Sequence, residues 1–427
     1  MALHRLAAFA PFRVRSYRYQ WPGDLLTSWA FEMEALILGW YVLVETGSVM
    51  LLTLFGALQH GGTLVAPILG VVSDRIGPRN LLTAMRAGYA AIAGTLMLTA
   101  FAGALNPMIV LVLVGMMGIL RPSDLGLRAT LIADTMPPEQ LTGAMGVSRT
   151  TSDTARIAGA LTGAGLFAVF GMAAAYVVVT LCYIASAFLT ARASSAHSAM
   201  AEPVSAAVSG RVSAWSDLRD GVIHIWNTPS LLAIVCFVLM FNAAAFPLTN
   251  GLLPYVAREI YGTDQTGLGY LVASIAVGAL IGAFVIGPLA ARVPLTRVLV
   301  LAAIAWHLLL IAFAQMRSMP AGIAVLMLAG IAHSLTMVSL TVVLVNAAGP
   351  RFRGRVMGVR MLAIYTLPLG LLLAGALIGQ IGFHTTATVY AIISCVVTIA
   401  IAWRWRAALW AVQPATTAPG EGPPGRD

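Results

Sequence analysis

Gly70-Val-Val-Ser-Asp-Arg-Ile-Gly-Pro-Arg79 is a short charged stretch between two long apolar runs. One acid, two arginines, two glycines and one proline within ten residues do not suit the interior of a bilayer, where charges are costly. Each flanking run can cross a membrane as a helix, which takes about 20 residues. The stretch predicts a tight turn at a membrane surface, although an ordinary loop explains it equally well. Arg75 and Arg79 place that surface on the cytoplasmic side.

A second copy of this pattern lies half a chain downstream. Gly287-Pro-Leu-Ala-Ala-Arg292-Val-Pro-Leu-Thr-Arg297 repeats a glycine and the arginines 217 residues on (287 minus 70), with Ala291 in the place of Asp74. The tripeptide at 145–147, Met-Gly-Val, recurs at 357–359, which is 212 residues on (357 minus 145). Two features separated by nearly the same interval indicate two structurally equivalent halves, as in transporters built from repeats.

The stretch 70–79 resembles the signature loop between the second and third helices of the major facilitator superfamily. Residues 39–48, 137–145 and 217–229 resemble the branch of that family with enterobactin-type siderophore exporters and macrolide-type efflux proteins. The resemblance extends over about residues 12–405. It implies an all-α membrane protein, with twelve transmembrane helices in two pseudo-symmetric six-helix bundles, the major facilitator fold.

Composition independently favours a multi-pass membrane protein. Hydrophobic residues make up 59% and charged residues 10% of the chain, with a mean hydropathy of +0.88, whereas soluble domains carry about 25% charged residues. All 25 basic residues are arginine, and most of them lie in predicted cytoplasmic segments. The net charge of +9 therefore indicates contact with anionic lipid rather than nucleic acid. Three cysteines in apolar runs indicate neither disulfides nor a metal site, and we expect no cofactor.

The apolar runs divide the chain into five segments. These are a cytoplasmic tail (1–19), an N-terminal six-helix bundle (20–192), a cytoplasmic linker with an amphipathic helix (193–229), a C-terminal six-helix bundle (230–410) and a disordered tail (411–427). The twelve predicted helices begin near Trp21, Val49, Leu81, Met108, Leu141, Ala173, Ser230, Thr266, Leu295, Ala321, Arg355 and Thr386. Arginines concentrate in the tails, the linker and the even-numbered loops, which places both termini in the cytoplasm of a bacterium.

Ionisable residues inside the apolar runs are the site candidates, because a charge at mid-bilayer costs several kcal/mol. Glu32 and Glu34 lie near the middle of helix 1, about 200° apart around it. We expect one to face the central cavity and the other to pack against a neighbouring helix. Arg121 and Asp124 share one face of helix 4. We expect Arg121 to pair with a glutamate, or alternatively with Asp124, in a proton-coupling site, and a static salt bridge is equally compatible.

The family resemblance implies a conformational latch, in which charged bonds form in one state and break in the other. Its candidate residues are Gly70, Asp74, Arg75, Gly77, Arg79 and Arg156, with a second-half loop at Gly287, Arg292 and Arg297. Arg156 also belongs to a series with Arg149 and Asp153 at helical spacing, which fits a stabilising ladder within helix 5.

The second half has few buried acids, so its cavity candidates are neutral polar residues. Asn242 lies on helix 7, and His333 on helix 10 matches Arg121 under the 212-residue offset. Proton transfer and simple packing are about equally compatible with His333, whereas we expect His307 to be a packing residue.

Motifs of catalysis are missing from the sequence: it has no Walker loop, no His-Glu-x-x-His helix and no Gly-x-Ser-x-Gly elbow. We therefore expect no enzyme, and the family resemblance implies a monomeric secondary transporter in the bacterial inner membrane. It would export a small organic compound by alternating access, as a proton antiporter, with the substrate, protons and the lipid bilayer as its partners. The alternatives are a siderophore-specific exporter, a proton-coupled importer and a non-transporting membrane sensor.

Overall fold

The computed structural model describes residues 10–64, 69, 72, 73, 75–193 and 214–410. No strand occurs among these residues, which form helices and short connections. Nine of the described helices are long and apolar enough to cross a membrane. This confirms the predicted all-α membrane fold, while the count of twelve spans stays a prediction.

Most of the described helices follow one another through short connections, as is usual for antiparallel neighbours in a bundle, and the longer stretches between α2 and α3 and between α5 and α6 include residues outside the described part of the chain. In chain order they are α1 (Arg15–Thr46), α2 (Val49–Leu58), α3 (Pro78–Phe101), α4 (Pro107–Thr135), α5 (Pro138–Arg192), α6 (Ala214–Asn227), α7 (Pro229–Ile260), α8 (Gln265–Ala290), α9 (Leu295–Gln315), α10 (Met319–Gly349), α11 (Gly354–Ile381), α12 (Phe383–Arg404) and α13 (Arg406–Trp410). Short 3₁₀ turns occupy Ala10–Arg13 and Gly61–Leu64. We call α1–α5 the N-half and α7–α12 the C-half.

Two glycines with positive φ divide long helical stretches. Gly171 (φ 77°) breaks α5 into a first arm, residues 138–170, and a second arm, residues 172–192. Gly349 (φ 65°) ends α10 before α11 begins. Glycine adopts this backbone region without steric cost because it has no Cβ atom. The predicted start of helix 6, Ala173, lies within two residues of the first break.

Helix α1 begins inside the segment predicted to be a tail. It starts at Arg15 rather than near Trp21, and it continues through Pro22. The hydroxyl of Tyr17 donates to the carbonyl oxygen of Ala144 at 3.1 Å, which ties the first turns of α1 to α5. A proline inside a helix removes one backbone hydrogen bond, and contacts with α5 compensate for this loss.

Small residues let the two halves approach closely where α2 meets α11 and where α5 meets α8. A Cβ atom built on Gly375 of α11 would overlap Thr53 of α2. One built on Gly269 of α8 would lie 2.7 Å from Cβ of Ala164 in α5. Close backbone approach at Gly and Ala is a common way to pack helices inside a membrane, and it forms the interface between the halves here.

The helix predicted in the linker is α6, and it packs against the start of α11. The ring of His224 stacks on Phe352 with centroids 4.1 Å apart, and Asp220 forms an ion pair of 3.5 Å with Arg355. These contacts attach α6 to the C-half. Residues 194–213 of the predicted linker and the tail 411–427 lie outside the described residues.

Candidate functional site

Glu34 is the buried acid at the centre of the N-half, with 3% of its surface exposed. The hydroxyl of Tyr183 donates to its Oε2 at 2.9 Å, and the hydroxyl of Tyr176 donates to its Oε1 at 3.3 Å. Both tyrosines belong to the second arm of α5. Glu34 therefore packs against the second arm of α5 and also lines the small cavity beside Arg121, so the choice of the glutamate that faces the central cavity stays a prediction.

Glu32 is half-buried and points to a different neighbour. Its Cβ lies 2.7 Å from a Cβ atom built on Gly159 in the first arm of α5. No hydrogen bond or ion pair involves its carboxylate within the described parts of the chain. The two glutamates thus lie on different faces of α1, as their spacing predicts.

Arg121 of α4 shares a small cavity with Glu34 and with Gln59, which directly follows α2, and the rest of the lining is apolar. Its Nη1 donates to Oε1 of Gln59 at 2.8 Å, and its guanidinium lies 4.4 Å from the ring centroid of Phe31. The expected ion pair between Arg121 and a glutamate is therefore not formed here. The tyrosine hydroxyls donate hydrogen bonds to both carboxyl oxygens of Glu34, and the side chain of Arg121 is hydrogen-bonded to Gln59 instead.

Four charged residues form a second buried group, which we call the N-half charge cluster: Asp24, Arg86, Asp124 and Arg128. None of their side chains is more than 5% exposed. Arg86 pairs with Asp24, and Arg128 pairs with Asp124 one turn away on α4. The cross pairs are longer, at 3.7 Å for Arg128–Asp24 and 3.9 Å for Arg86–Asp124. Asp124 is thus a partner of Arg128 and Arg86, and the alternative pairing with Arg121 is wrong.

The N-half charge cluster joins α1, α3, α4 and the second arm of α5. Arg128 donates to Oγ of Ser28 at 2.6 Å, and Arg86 donates to the hydroxyl of Thr190. Two acids and two bases compensate each other, as buried charges must. Asp24 and Arg86 were missed from sequence, although each is an ionisable residue within an apolar run, the same signal that pointed to Glu34.

The described part of the predicted latch contacts its own half. Gly77 adopts φ 84° directly before α3, and Arg79 donates to the carbonyl oxygen of Ala193 at 3.3 Å. Arg75 is exposed. Gly70 and Asp74 lie outside the described residues. In the second-half loop, Gly287 is exposed within the last turns of α8, and Arg292 and Arg297 are exposed at the turn into α9.

Arg156 lies between the halves, in the middle of the first arm of α5. Its Nη2 donates to Oδ1 of Asn250 in α7 at 2.5 Å. Arg258 of α7 donates to the carbonyl oxygen of Leu43 in α1 at 2.6 Å. These two side-chain hydrogen bonds connect the N-half to the C-half. Arg149, by contrast, pairs with Asp153 on its own helix at 3.2 Å, as the ladder interpretation predicts.

The C-half contains a cluster of rings, which we call the aromatic–histidine cluster: Phe241, Phe246, Trp306, His307 and His333. The ring of His333 lies 4.8 Å from Trp306 and 5.3 Å from Phe246. His307 is fully buried beside Trp306 and Phe241, as expected for a packing residue. Nε2 of His333, both ring nitrogens of His307 and Nε1 of Trp306 have no partner within the described residues.

Asn242 lies in the first of two π-helical segments of α7, Phe241–Ala245 and Val256–Ile260. Its Nδ2 donates to the carbonyl oxygen of Val238 on the same helix at 2.9 Å. Such segments occur frequently at functional sites, but here the amide is used within the helix. In the described parts of the chain, no group of three or more His, Cys, Asp or Glu is placed to hold a metal ion.

The protein has apolar helices that can span a membrane, sequence motifs repeated in its two halves, and charged residues buried between helices. These features are typical of membrane transport proteins. Residues 25–251 and 235–424 match the family model of the Major Facilitator Superfamily, and the chain belongs to that family. The protein is therefore a transporter and not an enzyme.

Part of the chain is similar to a characterised efflux protein. Over 175 residues it is 30% identical to the multidrug efflux pump Tap of Mycobacterium tuberculosis (strain H37Rv). The aligned region covers 40% of this chain and 41% of the pump. Tap of Mycolicibacterium fortuitum is 26% identical over 171 residues, or 39% and 41% of the two chains. The match thus spans less than half the length of these pumps.

Solved transporters share the fold over nearly the whole chain. The nucleoside transporter NupG superposes with a TM-score of 0.68 at 15% identity, covering 93% of this chain and all of that one (100%). The POT family transporter PepTSo gives a TM-score of 0.72 at 12% identity, covering 94% and 99%. At these identities the likeness concerns the fold alone.

Proposed function

We propose that the protein is a monomeric exporter of a small organic compound in the bacterial inner membrane, with both termini in the cytoplasm. It works as a proton antiporter by alternating access. The superfamily fold supports a secondary transporter, and the partial similarity to the multidrug efflux pump Tap supports export of an organic compound.

The buried carboxyl group of Glu34 is the observation that carries the proton coupling. It shares its cavity with Arg121, yet the two groups form no ion pair, because Arg121 is held by Gln59 and Phe31. A protonated Glu34 needs no cation beside it, whereas an ionised Glu34 attracts the arginine. Loss of the proton would therefore move Arg121 from Gln59 towards Glu34. This movement couples the proton to the position of α4.

Alternating access follows from the contacts between the halves. The bonds Arg156–Asn250 and Arg258–Leu43 join α5 to α7 and α7 to α1. Since these bonds cross between two separately packed bundles, a rocking motion of the halves breaks them without unfolding either bundle. An interaction made in one state and lost in the other is what sets the balance between the two states.

Transport into everted membrane vesicles tests the proposal. We expect at least one of a dye, a macrolide and a catecholate siderophore to accumulate when a proton gradient is imposed. The Glu34→Gln variant should lose the gradient-dependent accumulation of the compound, because the glutamine amide cannot take up and release a proton as the carboxyl group does. Glu32→Gln is the matched control and should retain it.

Two results would contradict the proposal. Full gradient-dependent uptake by the Glu34→Gln variant would show that Glu34 does not carry the coupled proton. Uptake by right-side-out vesicles instead of everted ones would replace export by import.

A further inference from the structure

Helix α6 uses one side to contact the C-half. Ile225 is 4% exposed, and a Cβ atom built on Gly221 would lie 3.2 Å from the carbonyl oxygen of Arg355. The stacking of His224 on Phe352 comes from the same side of the helix. This side of α6 is therefore occupied by the start of α11.

The opposite side of α6 is exposed and mostly apolar. Residues at steps of three and four along a helix share one side, and here these are Arg219, Val222, Ile223 and Trp226. Val222 and Ile223 are each 46% exposed, and Trp226 is 71% exposed. Arg219 is exposed as well. We call this side the α6 outer face, and three large apolar side chains next to each other indicate that it contacts something other than water.

The position of α6 in the chain brings the outer face to the membrane boundary. Only Thr228 separates α6 from α7, which begins at Pro229 and is long and apolar enough to cross a membrane. The backbone of Thr228 is extended, so α6 turns away from the axis of α7 instead of prolonging that helix. The α6 outer face therefore lies where α7 enters the bilayer.

A second tryptophan marks the same boundary. Trp403, in the last turn of α12, is 72% exposed. The short helix α13, which follows α12, contacts the first part of α7, so the end of α12 lies near the start of α7. Tryptophan is enriched where the apolar and polar layers of a membrane meet. Trp226 and Trp403 thus indicate that this end of the C-half lies at the membrane–water interface.

Charge on the α6 outer face favours an anionic surface. Arg219 belongs to this face, whereas the neighbouring acid, Asp220, forms its ion pair with Arg355 of the C-half. A basic side chain beside exposed apolar side chains favours anionic lipid, because attraction to lipid phosphates adds to the burial of the apolar groups.

We infer that the α6 outer face binds the surface of the membrane. Val222, Ile223 and Trp226 insert at the boundary between headgroups and acyl chains, and Arg219 binds the phosphate of an anionic phospholipid. The lipid surface thereby holds α6, and with it the start of α11, at the bilayer. This inference goes beyond the proposed function, because it depends neither on the direction of transport nor on proton coupling.

A fluorescent probe on the α6 outer face tests the inference in the full-length protein. Ile223→Cys, with the three native cysteines replaced by serine, is labelled with the environment-sensitive fluorophore NBD. The protein is placed in lipid nanodiscs, which leave both membrane faces accessible. Lipids brominated near the headgroup end of the acyl chain should quench the probe, and aqueous iodide should not. Ser318→Cys, at an exposed serine between α9 and α10, is the matched control, and iodide should quench its probe more than brominated lipid does.

A lipid titration tests the role of Arg219. The labelled Ile223→Cys protein in detergent is titrated with phosphatidylglycerol, an anionic lipid, or with zwitterionic phosphatidylcholine, and NBD emission is recorded. Phosphatidylglycerol should bind more tightly, and Arg219→Gln should weaken its binding about fivefold, as expected for one basic side chain at an anionic surface. Arg219→Lys should retain the affinity. Arg317→Gln, the same change at an exposed residue between α9 and α10, is the matched control and should leave the affinity unchanged.

Three results would overturn the inference. Quenching of the Ile223→Cys probe by iodide would place the α6 outer face in water. A probe quenched by neither reagent would mean that protein covers this face, for which residues 194–213 are the nearest candidate in the chain. Equal affinity for the two lipids, or full phosphatidylglycerol affinity in Arg219→Gln, would show that no anionic headgroup is bound. A thermal melt of each variant identifies effects that result from misfolding.

Discussion

Arg86 is fully buried in α3, where a lone arginine would be strongly unfavourable. Its guanidinium is placed between Asp24 and Asp124, so the cost of removing it from water is offset by two carboxylates and by Thr190. At the scale of single residues, burial thus distinguishes structural charges from exposed ones. The N-half charge cluster is closed and compensated, whereas Glu34 has only neutral hydroxyls on its carboxylate.

This distinction predicts the stability of two arginine variants. Arg86→Ala leaves two buried acids with only Arg128, and breaking a buried pair costs about 3–5 kcal/mol. Arg149→Ala removes an exposed pair within one helix, which is worth about 0.3–0.5 kcal/mol. Thermal unfolding in detergent should show a large loss for the first variant and almost none for the second. Equal melting temperatures would mean that the cluster does not hold the N-half together.

Helix α5 packs on α1 through glycine at the scale of secondary-structure elements. A Cβ atom built on Gly163 would lie 2.9 Å from Cα of Met33, which is part of the backbone and cannot rotate away. At Gly165, two residues on, a Cβ atom would meet no other atom within 4 Å. Gly163 therefore lies at a close contact between the two helices, whereas Gly165 has no such contact.

Alanine at these two positions should have opposite effects. Gly163→Ala forces α1 and α5 apart, and such overpacking costs about 1–3 kcal/mol. Gly165→Ala fills open space and gains about 0.5–1 kcal/mol of helix stability. Thermal unfolding of both variants measures the difference. A Gly163→Ala protein as stable as Gly165→Ala would show that the contact relaxes freely.

Sequence located most membrane-spanning helices well, because each contains a long apolar run. The starts of α2 and α9 agree with their predicted residues, Val49 and Leu295. The start of α1 was predicted six residues late, because residues 15–20 are mostly polar and are helical there through contacts with α5 such as Tyr17–Ala144. Partners were harder to predict than positions. The tyrosines that bind Glu34 lie more than 140 residues away in the chain, and no local pattern points to them.

At the scale of the whole molecule, the halves meet where Thr53 faces Gly375. If transport needs the halves to separate there, a covalent bond between α2 and α11 must stop it. A Cβ atom at Gly375 would lie 3.1 Å from Cβ of Thr53, close to the range for a disulfide of about 3.5–4.5 Å. The location of this contact therefore offers a direct test of alternating access.

The double variant Thr53→Cys/Gly375→Cys should lose transport on oxidation and regain it on reduction. The three native cysteines, Cys182, Cys236 and Cys395, are first replaced by serine or alanine. Each single variant serves as a control and should be insensitive to the oxidant. Transport that continues after complete cross-linking would show that α2 and α11 need not separate.

The cavity around Glu34 contains one carboxyl group, so the proposed antiport cycle would carry one proton. For a monovalent anion leaving the cell, one proton entering adds to the charge moved, so two charges cross the membrane in the same electrical sense. Each is worth about 2.3 kcal/mol per 100 mV. Membrane voltage would then contribute about twice as much free energy to each cycle as it does for one charge. With a monovalent cation as substrate, the exchange would move no net charge, and the voltage would contribute nothing.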